Sequence, residues 1–394
     1  MNTNIKCLVF LLMLLPVSCK PQSKDRTENE QRSFCYWDTK FSVDNILYKN
    51  TTANHLYIRY FDVDWDDVSS SAKPIASISR SQDTYYDIEK NTSDTLIQNY
   101  TPSIFLTNRV FQKASTSELD SLSSRLIRRL DNINSRFAEN AFYKRDEKIW
   151  RNWNYSEYES YKIRRDSVIA TIQKDLNNRY SEILIDCDWT EKTKDNFFYF
   201  IRRLKKDFKN KNITVTLRLW QYKNTKTAGV PPVERCLLMC YNMQTANDFN
   251  VENSIASLDE LKKYVSGEKY PLKLDVALPV FNWGILFRNE KFIGLLGNID
   301  INSYQNNPIE YQNIGNNKFI LLQDKIVGNF FARKGDIIRV ESVSKNILND
   351  MANYLKSEIP MDNLSRVTFF SWNKTYINNY GTNEIENIYN LFGK

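Results

Sequence analysis

Two aspartates stand at alternate positions in ILIDCDWTE, residues 183–191, and two more in YFDVDWDD, residues 60–67. Strand side chains alternate between faces, so Asp186 and Asp188 share one face and Asp62 and Asp64 another, each pair roughly 6 to 7 Å apart. Carboxyl pairs of this kind have three uses. Held roughly 5 to 10 Å apart across a glycosidic bond, one donates a proton while the other acts as nucleophile or base. As a set of oxygens they hold calcium or magnesium. As isolated groups they cap helices or accept backbone donors in turns. One capping aspartate per strand would suffice, so the inner pairs are assigned to a site, and Asp66, Asp67 and Glu191 to caps and turns. Asp188, nearest its strand end, is the expected proton-transfer residue, with Asp186 tuning it and Asp62 or Asp64 opposing it.

The other side chains narrow the chemistry. The only histidine, His55, begins its strand at the end away from the polar residues, which argues against Ser-His-Asp, Cys-His and multi-histidine metal chemistry. No cysteine spacing suits zinc and no contiguous calcium-loop motif occurs, so neither a metal nor a cofactor is expected. Cys35, Cys187, Cys236 and Cys240 fall on or beside apolar runs and are expected as buried free thiols rather than a disulfide framework.

Eight β-rich runs must position these groups: HLYIRYFD (55–62), SIFLT (103–107), EILIDCD (182–188), ITVTLRLW (213–220), CLLMCYN (236–242), LDVALPVF (274–281), KFILLQ (318–323) and RVTFFSW (366–372). Amphipathic spacing predicts helices over 117–137, 156–176, 193–208, 257–265 and 344–359. Strand and helix alternate, and near-continuous apolar strands suit a parallel sheet covered on both faces. The expected fold is α/β, an irregular (β/α)8 TIM-type barrel formed by a single domain over residues 34–394, with a β-hairpin insertion at WGILFRNEKFIGLLG (283–297). Such a barrel brings its strand carboxyl ends to one mouth. There the aspartates would meet Tyr241, Asn242, Arg218, Trp220, Trp283 and Trp372, the expected substrate-binding residues, whose rings and polar tips suit sugar faces and hydroxyls.

The chain opens MNTNIKCLVFLLMLLPVSCK, a basic residue and a short apolar run ahead of small residues. That is a signal peptide, expected over residues 1–18, too short to span a bilayer. LLPVSC resembles a bacterial lipobox, with Pro16 where the pattern usually carries Leu, and the resemblance implies lipidation of Cys19. Residues 19–33 then read as a flexible tether. The expected location is the bacterial cell envelope, lipid-anchored to the outer membrane, with no other membrane contact. The formal charge of +7 is interleaved along the chain, and with export it argues against a nucleic-acid partner. A monomer is expected.

RYFDVDWD, IDCDWTEKTKDNFFYFIRRLK, TLRLWQ, GVPPVERCLLMCYNM and YPLKLDVALPVFNWGILFR together resemble an uncharacterised family of Bacteroidota lipoproteins across nearly all of the mature chain. A weaker resemblance is to the chitinase-like glycoside hydrolases with TIM barrels, whose motif is D-x-x-D-x-D-x-E with a later Tyr-Asp pair. Asp186 and Asp188 match its last two aspartates, whereas Ile183 replaces the first aspartate, Thr190 stands at the glutamate and Asn242 follows Tyr241. The resemblance implies a shared architecture, and its departures separate the chain from the chitinase mechanism. The leading expectation is a carbohydrate-active barrel, a possible glycoside hydrolase using paired carboxylates. The alternative is a non-catalytic surface lipoprotein that binds a glycan or a protein.

Overall fold

A computed structural model describes residues 26, 31–39, 50–78, 99–145, 158–297 and 299–394. The signal peptide, Cys19 and most of the tether lie outside the described residues. Eight parallel strands close into a barrel: β1 (Arg32–Tyr36), β2 (His55–Asp66), β4 (Asn99–Leu106), β5 (Glu182–Asp186), β6 (Asn212–Arg218), β7 (Arg235–Met239), β8 (Lys273–Pro279) and β16 (Val367–Phe370). Closure comes from β1, which pairs with β2 through Ser33 and His55 on one side and with β16 through Arg32 and Val367 on the other. Strand β2 runs past the rim and turns into β3 (Ser71–Ser77), which pairs antiparallel with its outer half. No helix among the described residues is long and apolar enough to cross a membrane.

The outward side chains of these strands meet helices whose apolar stripes the spacing foretold. The helix Lys194–Asp207 buries Phe197, Phe200, Ile201 and Leu204. Trp189, just past β5, is fully buried, stacks on Phe197 at 4.9 Å and donates from Nε1 to the Ala228 carbonyl at 3.0 Å. Both long helices, Thr116–Arg145 and Tyr158–Asn178, belong to the one connection between β4 and β5.

The inward side chains alternate with these, and near the amino ends of the strands they are charged. Glu182 of β5 accepts from Arg26 Nε at 2.6 Å, from Thr101 Oγ1 at 3.1 Å and from the Arg366 guanidinium. Asp275 of β8 accepts from the Arg366 amide at 2.8 Å, from Arg26 Nη1 at 3.0 Å and from the Tyr57 hydroxyl at 3.2 Å. His55 contacts Ser33 Oγ at 2.8 Å and Thr101 Oγ1 at 2.9 Å. Burial, then the neighbouring Arg366 charge, push its pKa well below the ordinary value, so the ring is neutral. This ring of paired ions floors the barrel. Arg26 takes part in it from within the segment that the sequence reads as tether.

Two expectations change. The run 318–323 is not a barrel strand. It contributes β12 (Lys318–Leu321) to a five-stranded antiparallel sheet inserted between β8 and β16, in the order β10 (Lys291–Gly297), β9 (Asn282–Arg288), β15 (Ile337–Ser342), β12 and β11 (Tyr311–Asn313). The eighth barrel strand is β1, whose five residues, RSFCY, are too short and too polar at the start to stand out. The expected hairpin is present as β9 and β10, paired through Arg288 and Lys291. A two-stranded hairpin, β13 (Lys325–Val327) and β14 (Phe330–Ala332), covers β10. Gly294 is required there, because a Cβ would sit 2.1 Å from the Phe330 ring. The inserted sheet has its own core around Leu286, Phe319 and Ile338.

Two buried side chains lace this insertion to the loop after β7. Arg339 donates to the carbonyls of Ala246 at 2.9 Å, Asp248 at 2.6 Å and Phe249 at 3.2 Å, and from Nε to Glu341 at 2.7 Å. Glu341 in turn accepts from the Ser254 amide at 2.9 Å and from Trp283 Nε1 at 2.7 Å.

Candidate active site at the barrel mouth

At the carboxyl ends of the strands lies a cavity of about 240 Å3, lined by Asp62, Asp186, Asp188, Arg59, Arg218 and Thr216 on its polar side and by Trp37, Phe105, Tyr241 and Phe370 on its apolar side. A second hollow of about 400 Å3 adjoins it, sharing Asp188, Arg218, Tyr241 and Asn242 and adding Thr190, Trp220 and Tyr264. Together they form one cleft. Three of the four expected carboxylates therefore converge.

Each carboxylate is held differently. Asp62 follows an irregularity in the pairing of β2 with β4 between Arg59 and Phe61. Arg59 reaches it from three residues earlier, with Nε 2.7 Å from Oδ1 and Nη2 on Oδ2. Asp188 pairs with Arg218 through both oxygens, Nη2 lying 2.8 Å from Oδ2. Gln221, fully buried, fixes the Arg218 backbone by accepting from its amide at 2.7 Å while donating to the Trp189 carbonyl at 2.9 Å. Asp186 alone of the three has no arginine on it. It is buried, accepts from Thr216 Oγ1 at 2.7 Å, and has its pKa raised to about 6, by burial first and then by the charges of Asp188 and Asp62, against the opposing pull of Thr216 and Arg218.

The apolar wall is continuous. Tyr241 stacks on Phe370 at 5.0 Å, Trp37 tilts against Phe370 at 5.7 Å, and the Arg59 guanidinium lies 5.6 Å over the Trp37 ring. The Tyr241 phenol is raised well above its ordinary pKa by burial and then by Cys35 and Asp186, so it stays a neutral donor. Asn242 turns the chain at φ 54°, a left-handed conformation that asparagine tolerates better than most residues.

Three expected site residues lie elsewhere. Asp64 is not in the cleft: its oxygens accept from the Trp65 amide at 2.8 Å, the Thr107 hydroxyl and Arg109 at 3.1 Å. The unpaired residue in the β2 and β3 pairing is Ile75 of β3, so β2 itself alternates regularly from Asp62 to Asp64; Asp64 lies past Val63, the last β2 residue paired with β4, and so stands beyond the cleft. Trp372 is a core residue, 5% exposed, with its ring edge-on to Phe34 at 5.0 Å. Trp283 stands behind the wall, packed on Phe281 at 5.4 Å and hydrogen-bonded to Glu341. Cys19 lies outside the described residues. The groups that sequence reading passed over are Arg59, Thr216, Trp37 and Phe370. Arg59 and Thr216 carried a signal, since each is polar and shares the alternate-residue face of a strand whose other residues are apolar.

Thr190, at the place of the chitinase glutamate, is engaged in a local turn with its amide 2.9 Å from Thr193 Oγ1. Glu191 is exposed. Asp66 accepts from the Val68 amide at 3.2 Å in the turn after β2. Among the described residues no group of three or more His, Cys, Asp or Glu side chains is gathered to hold a metal ion. The four described cysteines are buried and free.

No protein-family model matches the chain, and no curated protein matches its sequence. Solved structures similar to it include the spore cortex-lytic enzyme SleL of Bacillus cereus, 12% identical over 92% of this chain and 75% of that one, with a TM-score of 0.43. A GH18 chitinase from Pseudoalteromonas aurantia is 10% identical over 92% and 99% of the two chains, with a TM-score of 0.34. A xylanase and alpha-amylase inhibitor protein from Scadoxus multiflorus is 10% identical over 92% and 98%, with a TM-score of 0.35. The barrel assignment rests on the closed strand order described above.

Proposed function

We propose that the protein is a carbohydrate-active barrel, held on the bacterial envelope by a lipid at Cys19, with the mouth cleft as its glycan site and Asp186 as its proton-transfer group. One contrast carries this reading. Within a single cleft two carboxylates are each locked by a guanidinium, while the third is buried, hydrogen-bonded to Thr216 and to no arginine, and has its pKa raised to about 6. A carboxyl group whose pKa is raised to about 6 stays protonated into mildly acid conditions and keeps a protonated fraction above them, as a general acid requires. The proton role therefore passes from Asp188, favoured by its place at the strand end, to Asp186. Asp62 and Asp188, each oriented by its arginine, serve as acceptors for sugar hydroxyls, and the Trp37, Phe370 and Tyr241 wall offers ring faces to a sugar.

A second reading, glycan binding without turnover, is favoured by Thr190 at the acid position and by the arginines that occupy both other carboxylates. A joint screen of glycan retention and glycan hydrolysis separates the two, using wild type beside Asp62→Asn, Asp186→Asn and Asp188→Asn, each checked for thermal stability. Turnover that disappears in a folded Asp186→Asn supports the hydrolase. Retention without turnover in wild type supports the binder. Neither retention nor turnover of any glycan would overturn the carbohydrate reading. Cys19→Ala should release the protein from the membrane fraction and abolish fatty-acid labelling, and unchanged labelling would overturn the anchor.

A further inference from the structure

The closed end of the barrel carries a separate groove of about 370 Å3, opposite the mouth. Arg26 and Arg235 lie in it, but their charges are met by Glu182, Asp275 and Asp362. The lysines above them are not neutralised in this way. Lys205 donates to the Pro232 carbonyl at 3.2 Å, a contact that orients an ammonium without cancelling its charge. Lys209 has no ion-pair partner among the described residues. Lys273 faces Asp362 at 3.3 Å, a carboxylate already gripped by Arg235 at 2.8 and 2.9 Å. The one other carboxylate on the lining, Glu234, is exposed. The groove is an open, cationic, two-walled site suited to a phosphate-bearing anion.

Arg26 sets where this groove can be. It is tied into the barrel floor by Glu182 and Asp275, and Cys19 precedes it by seven residues. Seven residues reach at most about 25 Å when fully extended. A lipid on Cys19 would thus keep the closed end within that distance of the bilayer, and the lysines would face its headgroups. We propose that the closed end of the barrel is a membrane-facing surface that seats the phosphates of anionic lipid headgroups in the Lys205, Lys209 and Lys273 groove, leaving the glycan cleft directed away from the membrane. The orientation rests on the lipid-anchor reading, whereas the anion site stands on the groove itself.

The two are tested separately. The full chain carrying Cys19→Ala is sedimented with vesicles of phosphatidylglycerol and phosphatidylcholine, and with phosphatidylcholine alone. Binding to the anionic vesicles only, reduced at least about tenfold by combined Lys205→Glu, Lys209→Glu and Lys273→Glu, is expected. Equal binding of the triple variant, or none by the parent, would overturn the site. Inorganic phosphate at matched ionic strength should leave vesicle binding intact. Full displacement would overturn the membrane assignment in favour of a free phosphate. For orientation, a fluorophore is placed at Lys269→Cys near the closed end or at Lys226→Cys near the mouth. Both are exposed positions in a fold whose four described thiols are buried. Energy transfer to a headgroup acceptor should be stronger from 269, and equal or stronger transfer from 226 would sink the proposed orientation.

Discussion

Arg218 grips Asp188 through both carboxylate oxygens, and its guanidinium also faces Asp186, two residues earlier in the chain. One cation thus satisfies the carboxylate at the rim and tempers the one beneath it. The pair itself is partly wet, with 44% of the Asp188 side chain exposed, so its worth to stability is at most about 1 kcal/mol. Its effect is on the titration of its neighbour.

That effect gives opposite shifts in two variants. Arg218→Gln removes a charge that lowers the Asp186 pKa and leaves Asp188 unneutralised, so Asp186 should titrate above pH 6. Asp188→Asn removes a charge that raises it and frees Arg218, so Asp186 should titrate below pH 6. Carboxyl carbon NMR across pH 4 to 8 reads both, and shifts of the same sign in the two variants would refute the arrangement.

Asp186→Asn should stabilise the protein at neutral pH. The folded carboxyl keeps its proton to about pH 6 against an ordinary value of 3.8, so between those values the folded state binds more protons than the unfolded one. Stability from this group therefore falls as pH rises through that window, by on the order of 1 to 3 kcal/mol. Asparagine can still accept from Thr216 and carries no such cost. Thermal melts should show a higher Tm for the variant at pH 7.5 and none at pH 4. An equal change at both would show that burial of the charge is not the cause.

The floor of the barrel has the opposite slope. Burial works against the Glu182 charge, but Arg26 and Arg366 outweigh it and hold the carboxyl well below its ordinary 4.5, so its contribution is complete above that value and is lost as pH falls. The depressed His55 pKa acts in the same sense below pH 6.5. Glu182→Gln leaves the Arg366 guanidinium buried and short of charge. A loss of about 3 to 5 kcal/mol in urea unfolding at pH 7 is expected, with a flatter acid limb. A loss within 1 kcal/mol would mean that the floor is not held by charge.

The tryptophans divide by location. Trp372→Ala empties a core position and should cost about 3 to 5 kcal/mol, with glycan retention unchanged in whatever fraction stays folded. Trp220→Ala lines the cleft and should weaken retention while costing under about 1 kcal/mol. Reversed outcomes would place the ligand elsewhere.

Seven of the eight barrel strands and the hairpin at 283–297 were legible because outward-facing residues and helix stripes follow the two periods that sequence displays. The mouth was legible in part for the same reason: Asp186, Arg218 and Tyr241 end successive parallel strands, and the fold alone gathers them. What escaped were effects without a periodic trace. The end of the barrel pairing at Val63 left Asp64 beyond the rim. The short β1 was masked by its polar start. The ion pairs of Asp62 and Asp188 leave no trace in the sequence: Arg218 is expected as a substrate-binding residue rather than as the partner of Asp188, and Arg59 is passed over. The run at 318–323 is as apolar as a barrel strand, since it is buried in a second, smaller core.

The lacing of the β7 loop to the inserted sheet by Arg339 and Glu341 gives the cleft two independent makers. The chemistry at its floor is set by parallel strands that cannot shift register without unmaking the barrel. The loop that begins at Tyr241 and Asn242 is held by a module with its own core, through hydrogen bonds to backbone carbonyls, to the Ser254 amide and hydroxyl and from the Asn253 side chain. Because Asn253, Ser254 and the Phe249 ring, which packs on Phe287 at 5.2 Å, all enter the joint, a change in the module must keep those partners to hold the loop, while the carboxylates on the strands keep their places regardless.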